Sequence, residues 1–197
     1  MKSRVSIVMI IVGVLLGTFL FMNRAHTPVP NPDPNHTHAD FAVFLGGKKV
    51  DFSLAKYMSG LSTDDTTHDE ENEYHDEHLH LHDNNGDVLH RHKPALTIGA
   101  FFSSLPGVRY EGSTFSIDGV AATVRLFVNG VENKDSANHV FTDVDQILIT
   151  DATEQTEIDH ELSLLTDEAC LYSRTCPWKG DPPTENCIAD PSIPCLE

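Results

Sequence analysis

The chain has 197 residues, which is enough for one modest domain with appended segments. Asp and Glu together number 30 and Lys and Arg 13, so the formal net charge is −17. A surface of this sign repels phosphate backbones and concentrates cations, which excludes nucleic acid as a partner.

The N-terminal segment has the composition of a membrane anchor. Lys2 and Arg4 precede an uncharged, mainly apolar stretch of eighteen residues, 5–22, and Arg24 follows it. The stretch is short for a transmembrane helix and too long for the core of a typical signal peptide. We expect residues 1–24 to form a cytoplasmic stub and a signal-anchor helix, with a cleaved signal peptide as the alternative. The positive charges on the short side predict a single-pass protein of the cell membrane, with the bulk of the chain extracytoplasmic.

Residues 25–35 are predicted to be a stalk, because four prolines alternate with other residues there and favour an extended conformation. A His-rich domain is predicted over 36–152. It opens with a hairpin that runs from Asp40 to Leu45, turns at Gly46-Gly47 and returns from Lys48 to Phe52. Segment 59–77 carries eight acidic residues and no Lys or Arg. We expect an acidic loop there, whose carboxylates could also contribute to a cation site.

Pairs of the form His-x-His are the most informative feature of this domain. Side chains two residues apart on a β-strand share one face, so each pair presents adjacent imidazoles. The histidines concerned are His36 and His38, then His78, His80 and His82, then His90 and His92.

The two central runs are predicted to be the strands of one β-hairpin. The sequence Asn-Asn-Gly at 84–86 suits a three-residue loop with Gly86 in the left-handed conformation. Such a loop pairs His80 with His90 and places all five hairpin histidines on one face. We expect that face to meet solvent, because the other face is apolar apart from Arg91 and gathers Leu79, Leu81 and Leu89.

The histidine pattern predicts a transition-metal site. Two histidines of one strand and a third from its neighbour can fill three positions around a tetrahedral zinc ion. This ligand set suits Zn²⁺ or Cu²⁺, and also Ni²⁺, whereas Cu⁺ favours sulfur ligands. The predicted ligands are His78, His80, His82, His90 and His92, followed by His36 and His38. A histidine pH switch without metal and a solvated polar face are the alternatives.

The order of elements beyond the hairpin predicts the fold class. Thr97 can cap a short helix, and strands are expected at Thr123 to Val128, before a turn at Asn129-Gly130, and at Gln146 to Thr150. Hairpin, helix and two strands is the order of a β-grasp, ubiquitin-like domain. The helix entry at 96–102 and the ending at 128–149 resemble the small sulfur carriers of that group, over residues 77–151. We therefore predict an α+β, β-grasp-like domain with an extra N-terminal hairpin, preceded by a single transmembrane helix.

A second resemblance covers most of the exported part. The segments His36-Thr37-His38-Ala39-Asp40-Phe41, Leu79 to His92, and Thr97 to Phe102 resemble an uncharacterised family of exported or membrane-anchored His-rich proteins. No activity transfers from this resemblance. It implies that the histidines act as one constellation.

Residues 153–197 are predicted to be a helical, cysteine-containing tail. Ile158, Leu162, Leu165 and Ala169 recur at helical spacing, which indicates one or two short helices. Four cysteines in an exported, loop-rich segment favour two disulfides. The simplest of the three connectivities joins Cys170 to Cys176 and Cys187 to Cys195. A zinc knuckle and a thiol-disulfide protein are the alternatives, although both normally show CxxC pairs, which are absent.

These observations predict a membrane-anchored, extracytoplasmic protein that binds a divalent metal ion as a scavenger, buffer or sensor. The membrane is contacted through the N-terminal helix, and no protein partner is indicated. A zinc-dependent hydrolase or lyase with a three-histidine site is the main alternative, and a pH-sensitive interaction module is another. We favour binding over turnover, because we identify no segment long enough to cover the histidines and exclude water.

Overall fold

The structure is a computed structural model that describes residues 13, 26–33, 35–58, 78–81 and 83–183. Between residues 26 and 183 the described chain forms ten strands and three short α-helices. The strands are β1 (Thr37–Leu45), β2 (Lys48–Lys49), β3 (Leu79–His80), β4 (Val88–Arg91), β5 (Val108–Glu111), β6 (Thr114–Ile117), β7 (Val120–Thr123), β8 (Arg125–Val128), β9 (Val131–Asn133) and β10 (Asp145–Thr150). The helices are α1 (Ile98–Ser103), α2 (Gln155–Leu162) and α3 (Ala169–Tyr172).

The strands form two sheets. The larger has seven strands in the order β3-β4-β1-β10-β8-β9, and β2 also pairs with β1. Strand β1 lies at its centre and runs parallel to β10, while the other pairs are antiparallel. The smaller sheet is antiparallel and contains β5, β6 and β7.

The predicted α+β fold of β-grasp type is wrong: sheet dominates the structure, and its described helices are short. The predicted N-terminal hairpin is confirmed, since β1 pairs with β2 across the turn at Gly46-Gly47. It is not an addition to the domain, however, because β1 is the central strand of the seven-stranded sheet. The three-stranded sheet was not predicted at all. The expected strand from Thr123 to Val128 is also divided, because β7 ends at Thr123 in one sheet and β8 begins at Arg125 in the other.

The larger sheet separates two apolar regions. On one face, Phe41, Val43 and Ile147 pack with Phe101 and Phe102 of α1 in the main core. Burying this many large side chains supplies most of the driving force for folding, at about 25 cal/mol per Å² of apolar surface. On the opposite face, the side chains of β1 and β10 pack against α2 through Ala42, Phe44, Leu148 and Ile158. The histidines lie on this second face.

Helix α1 begins as predicted. Thr97 precedes the helix in an extended conformation, and its side-chain oxygen accepts a hydrogen bond from the Ala100 amide at 3.1 Å. This bond satisfies one of the amides that a helix start leaves without an intrahelical partner. Phe101 and Phe102 are then buried in the main core.

The register of the histidine hairpin is confirmed. His80 pairs with His90 and Leu79 with Arg91. The expected role of Gly86 is wrong, because the left-handed residues of the loop are Asp83 and Asn84, with φ of 59° and 55°. Gly86 is needed for close packing instead: a Cβ there would lie 2.4 Å from the Ser53 amide nitrogen.

Among the residues that the structure describes, no helix is long and apolar enough to cross a membrane. Several predictions fall outside the described residues: the anchor over 1–24 apart from Gly13, the acidic loop over 59–77, and the positions of His82, Cys187 and Cys195. In the predicted stalk, the Val29 amide donates to the Thr175 carbonyl at 2.9 Å, so residues of this segment contact the tail.

Candidate metal centre

Six histidines lie in two rows across three neighbouring strands. In the first row, His90 on β4 pairs with His80 on β3 and with His38 on β1. The second row lies two residues further along. There the His92 amide donates to the His78 carbonyl at 2.9 Å, and the rings of His92 and His36 are 4.0 Å apart between centroids. The period of two along each strand puts all six on one face of the sheet.

Three of these histidines form a compact group. His36, His38 and His90 each offer a ring nitrogen, and these three atoms all lie within 4.8 Å of one another. Zinc–imidazole bonds of 2.0–2.1 Å in a tetrahedral site require nitrogens about 3.3 Å apart, so modest ring movements would close the group around an ion. No other group of three or more His, Cys, Asp or Glu in the described residues converges in this way.

The compact group has a structural basis in the sheet. His38 lies at the start of β1 and His36 just before that strand, and His90 faces His38 from β4. The ring centroids are 4.5 Å apart for His36 and His38 and 4.7 Å apart for His38 and His90. The Asn31 side-chain amide donates to the His36 carbonyl at 2.9 Å, which orders the chain just before β1.

The remaining predicted ligands lie beside this group. His80 stacks on His92 with a centroid separation of 4.8 Å and on His90 with 5.7 Å. His78 is half-buried next to them, and His82 lies outside the described residues. The compact group therefore takes two ligands from the pair that the sequence ranked second and one from the hairpin. Its assembly depends on the pairing of β1 with β4, which joins segments far apart in the chain.

The expectation of a solvent-facing histidine surface is wrong. His38 is 1% exposed and His90 0%, and both lie under the C-terminal tail. The Tyr172 ring of α3 is 5.6 Å from the His38 ring and 4.8 Å from the His90 ring between centroids. Val88, on the same face, packs with Ala169 and Tyr172. The tail is the covering segment that sequence reasoning did not identify.

Asp40 fastens the tail to the sheet. Its carboxylate accepts hydrogen bonds from the Thr166 hydroxyl at 2.6 Å and from the amides of Glu168 and Ala169 at 2.8 and 3.1 Å. The amides of Glu168 and Ala169 lie at the start of α3, where donors have no partner within the helix. Burial raises the pKa of the Asp40 carboxyl, and these hydrogen bonds act in the opposite direction.

A second polar connection fixes the orientation of His38. The Ser173 hydroxyl lies 2.8 Å from Nδ1 of His38 and also donates to the Asp143 carboxylate. Because a carboxylate only accepts, the hydroxyl proton points to Asp143, and Ser173 accepts a hydrogen bond from the Nδ1–H of His38. That tautomer leaves the lone pair of His38 on Nε2, which is a buried atom. A partner of this kind on the second nitrogen is typical of metal-binding histidines.

Arg91 lies on the core face beneath the histidines. Its guanidinium donates to the Phe141 carbonyl at 2.7 Å and to the Thr37 hydroxyl at 3.2 Å, and it lies over the Phe141 ring. Burial lowers the pKa of Arg91, while Asp143 and Asp145 act against this effect. The contact with Thr37 links β4 to β1 directly below the site. This arrangement explains why one charged residue interrupts the apolar face of the hairpin.

One of the two predicted disulfides is confirmed. Cys170 and Cys176 are bonded, with Cα atoms 5.4 Å apart, and they close a short loop that contains Tyr172 and Ser173. The disulfide thus closes the loop that carries Tyr172 and Ser173 over the histidines. Cys187 and Cys195 lie outside the described residues, so the second disulfide stays a prediction.

Sequence reasoning missed Asp143, Tyr172 and Ser173. None belongs to a periodic pattern or to a spacing that indicates metal chemistry. The only available signal was the position of Tyr172 and Ser173 inside the Cys170–Cys176 loop, which marks them as a rigid segment.

No family model, curated protein or solved structure matches this chain. The resemblance to an exported His-rich family stays a prediction. The function is therefore inferred from the geometry of the site.

Proposed function

We propose that this protein binds a divalent transition metal ion through His36, His38 and His90. The observation that supports this is the convergence of three ring nitrogens to within 4.8 Å at a site that is largely buried. Three histidines packed together in a folded core are costly to desolvate, and an ion that binds all three compensates for that cost.

The ligand chemistry favours borderline ions. Neutral imidazoles suit Zn²⁺, Cu²⁺ and Ni²⁺, and three of them leave a fourth position for water or another side chain. The two described cysteines are joined to each other and supply no thiolate. Met58, the only methionine among the described residues, packs in the main core on the other face of the sheet, so a soft ion such as Cu⁺ would find no sulfur ligand beside the histidine group.

We infer that the protein works outside the cytoplasm as a metal scavenger, buffer or sensor. The Cys170–Cys176 disulfide supports this location, because disulfides persist mainly in oxidising compartments. The net charge of −17 supports the binding role, because an acidic surface raises the local concentration of cations.

Metal analysis and calorimetry of untagged protein test the proposal. We expect tight binding of Zn²⁺ or Cu²⁺, and a loss of affinity of about 10²-fold or more when His38 and His90 are both replaced by Gln. His160→Gln is the matched control, because His160 is exposed on α2. Equal affinity in the double variant and the control would overturn the proposal.

A zinc enzyme is the second candidate, and one observation favours it: the tail covers the histidines, as a site that excludes water would require. Zinc bound by three histidines and a water molecule can generate a hydroxide nucleophile. Zinc-loaded protein would then hydrolyse activated esters or hydrate CO₂ faster than free zinc, and His38→Gln would abolish this activity. Rates equal to free zinc would leave binding as the function.

A further inference from the structure

The three-histidine group uses only half of the histidine surface. His78, His80 and His92 lie beside it on the same face, and His80 and His92 are 4% and 7% exposed. Two of these residues contact the first group directly, since the ring of His92 is 4.0 Å from that of His36 and the ring of His80 stacks on that of His90. If the protein bound a single ion through the first group, His78, His80 and His92 would have no assigned role.

The six histidines are related by the order of the strands. β4 lies between β1 and β3. One outer strand supplies His36 and His38, and the middle strand adds His90, which pairs with His38. The other outer side supplies His78 and His80, and the middle strand adds His92, which bonds to His78 through its backbone. Each outer pair thus has one cross-strand partner from β4.

We propose that His78, His80 and His92 form a second metal site, so that the sheet holds two divalent transition metal ions side by side. This inference rests on the proposed function of the first group. The two sites have the same composition: two histidines from one strand and a third from the middle strand. The same ligands, three neutral imidazoles, select the same class of ion, Zn²⁺ or Cu²⁺.

The geometry sets the distance between the ions. Neighbouring strands are about 4.8 Å apart and two residues of a strand span about 6.8 Å, so the ions lie of the order of 5–8 Å from each other. The ring nitrogens of His78, His80 and His92 do not converge in the structure as those of the first group do. The rings of His80 and His92 are stacked at 4.8 Å between centroids, and rotation of these two rings and of the His78 ring would be needed to turn their nitrogens towards a common ion. His92, between the two groups, couples them, so occupation of one site orders a ligand of its neighbour.

The number of bound ions tests the inference. Untagged protein is loaded with Zn²⁺, freed from excess metal and analysed for metal content, and the titration is repeated by calorimetry. We expect two ions per chain. The variant with Gln at 78, 80 and 92 and the variant with Gln at 36, 38 and 90 should each retain one ion. His160→Gln should retain both.

Copper supplies an independent measurement. Two Cu²⁺ ions at this distance are magnetically coupled, so the doubly loaded protein should show a half-field transition in its electron paramagnetic resonance spectrum. Either triple variant should show an isolated Cu²⁺ signal. Single substitutions, His78→Gln or His80→Gln, provide the same comparison if a triple variant fails to fold by circular dichroism.

The outcomes separate the two proposals. A single ion that is lost from the 36/38/90 variant and kept by the 78/80/92 variant would overturn the second site and leave the proposed function intact. A single ion that is lost from both variants would mean one shared site and would also overturn the inference. Absence of bound metal in the wild-type protein would overturn both.

Discussion

The Ser173 hydroxyl lies 2.8 Å from Nδ1 of His38, although 135 residues separate the two in the chain. Through this bond the C-terminal tail sets the orientation and tautomer of a histidine at the start of the central strand. Asp143 completes the connection, because it accepts from both the Ser173 hydroxyl and the His38 amide. The tail is therefore part of the site as well as its cover.

The Ser173 contact predicts a loss of metal affinity. In Ser173→Ala the His38 ring loses its oriented partner, and affinity for Zn²⁺ should fall about 10-fold or more. Competition with a chromophoric chelator measures the change. Ser163→Ala is the control, because Ser163 is exposed and its hydroxyl donates to the His160 carbonyl in the last turn of α2. An unchanged affinity in Ser173→Ala would show that His38 does not need this partner.

The disulfide predicts coupled losses of stability and binding. Replacing Cys170 and Cys176 by Ser removes the restraint on a short loop, which should lower the free energy of unfolding by about 2 kcal/mol. Because Tyr172 and Ser173 lie within that loop, the metal affinity should also decrease. Chemical denaturation and chelator competition measure the two effects. A stable variant with wild-type affinity would mean that the tail is held in place without the disulfide.

The surroundings of Gly86 predict that its replacement by Ala destabilises the protein more than the same change at Gly46. A Cβ at Gly86 would overlap the backbone of Phe52 and Ser53, so Gly86→Ala should cost about 2–3 kcal/mol. At Gly46 the backbone is left-handed, with φ of 57°, and the surroundings are open. Gly46→Ala should therefore cost only about 1 kcal/mol. Urea denaturation would contradict this account if the two variants were equally destabilised.

Glu161 predicts the direction of a pH effect. It is 2% exposed, and burial raises its pKa, with Asp151 and Glu157 adding to the shift and Thr150 and His160 opposing it. Because the folded state holds the proton more tightly than the unfolded state, stability falls as pH rises above the ordinary pKa of the carboxyl.

Glu161→Gln should therefore be more stable than wild type at pH 7, and the difference should shrink towards pH 4. Thermal unfolding across this range measures it. Glu154→Gln is the control, because Glu154 is exposed at the residue before the same helix. A stability difference that is independent of pH would show that the Glu161 carboxyl does not titrate abnormally.

The parts of the structure that sequence predicted are local. A period of two and a short loop were enough to place His80 opposite His90, and Thr97 marked the start of α1. The Cys170–Cys176 disulfide followed from proximity in the chain. In each case the deciding interaction joins residues a few positions apart, so the pattern and the contact coincide.

The features that sequence analysis did not predict were missed for different reasons. The pairings of β1 with β4 and β10 join distant segments, and apolar strands carry no signal that specifies such partners. The β5–β7 sheet, by contrast, left signals that were not used: Tyr110 and Phe115 alternate with polar residues, and Gly112 and Gly119 lie in left-handed turns. Ser173 and Asp143 act through side-chain hydrogen bonds to each other and to His38, which no periodicity reveals.

The central position of β1 determines when the site can form. This strand lies near the beginning of the described chain, but its partners β4 and β10 follow far later, and Asp143 is 105 residues beyond His38. Contacts of such long sequence separation form slowly, because the intervening chain must first be ordered. We therefore expect the ligands to meet late in folding. The supply of metal would then determine how many folded molecules carry an ion. It would have little influence on how many chains fold.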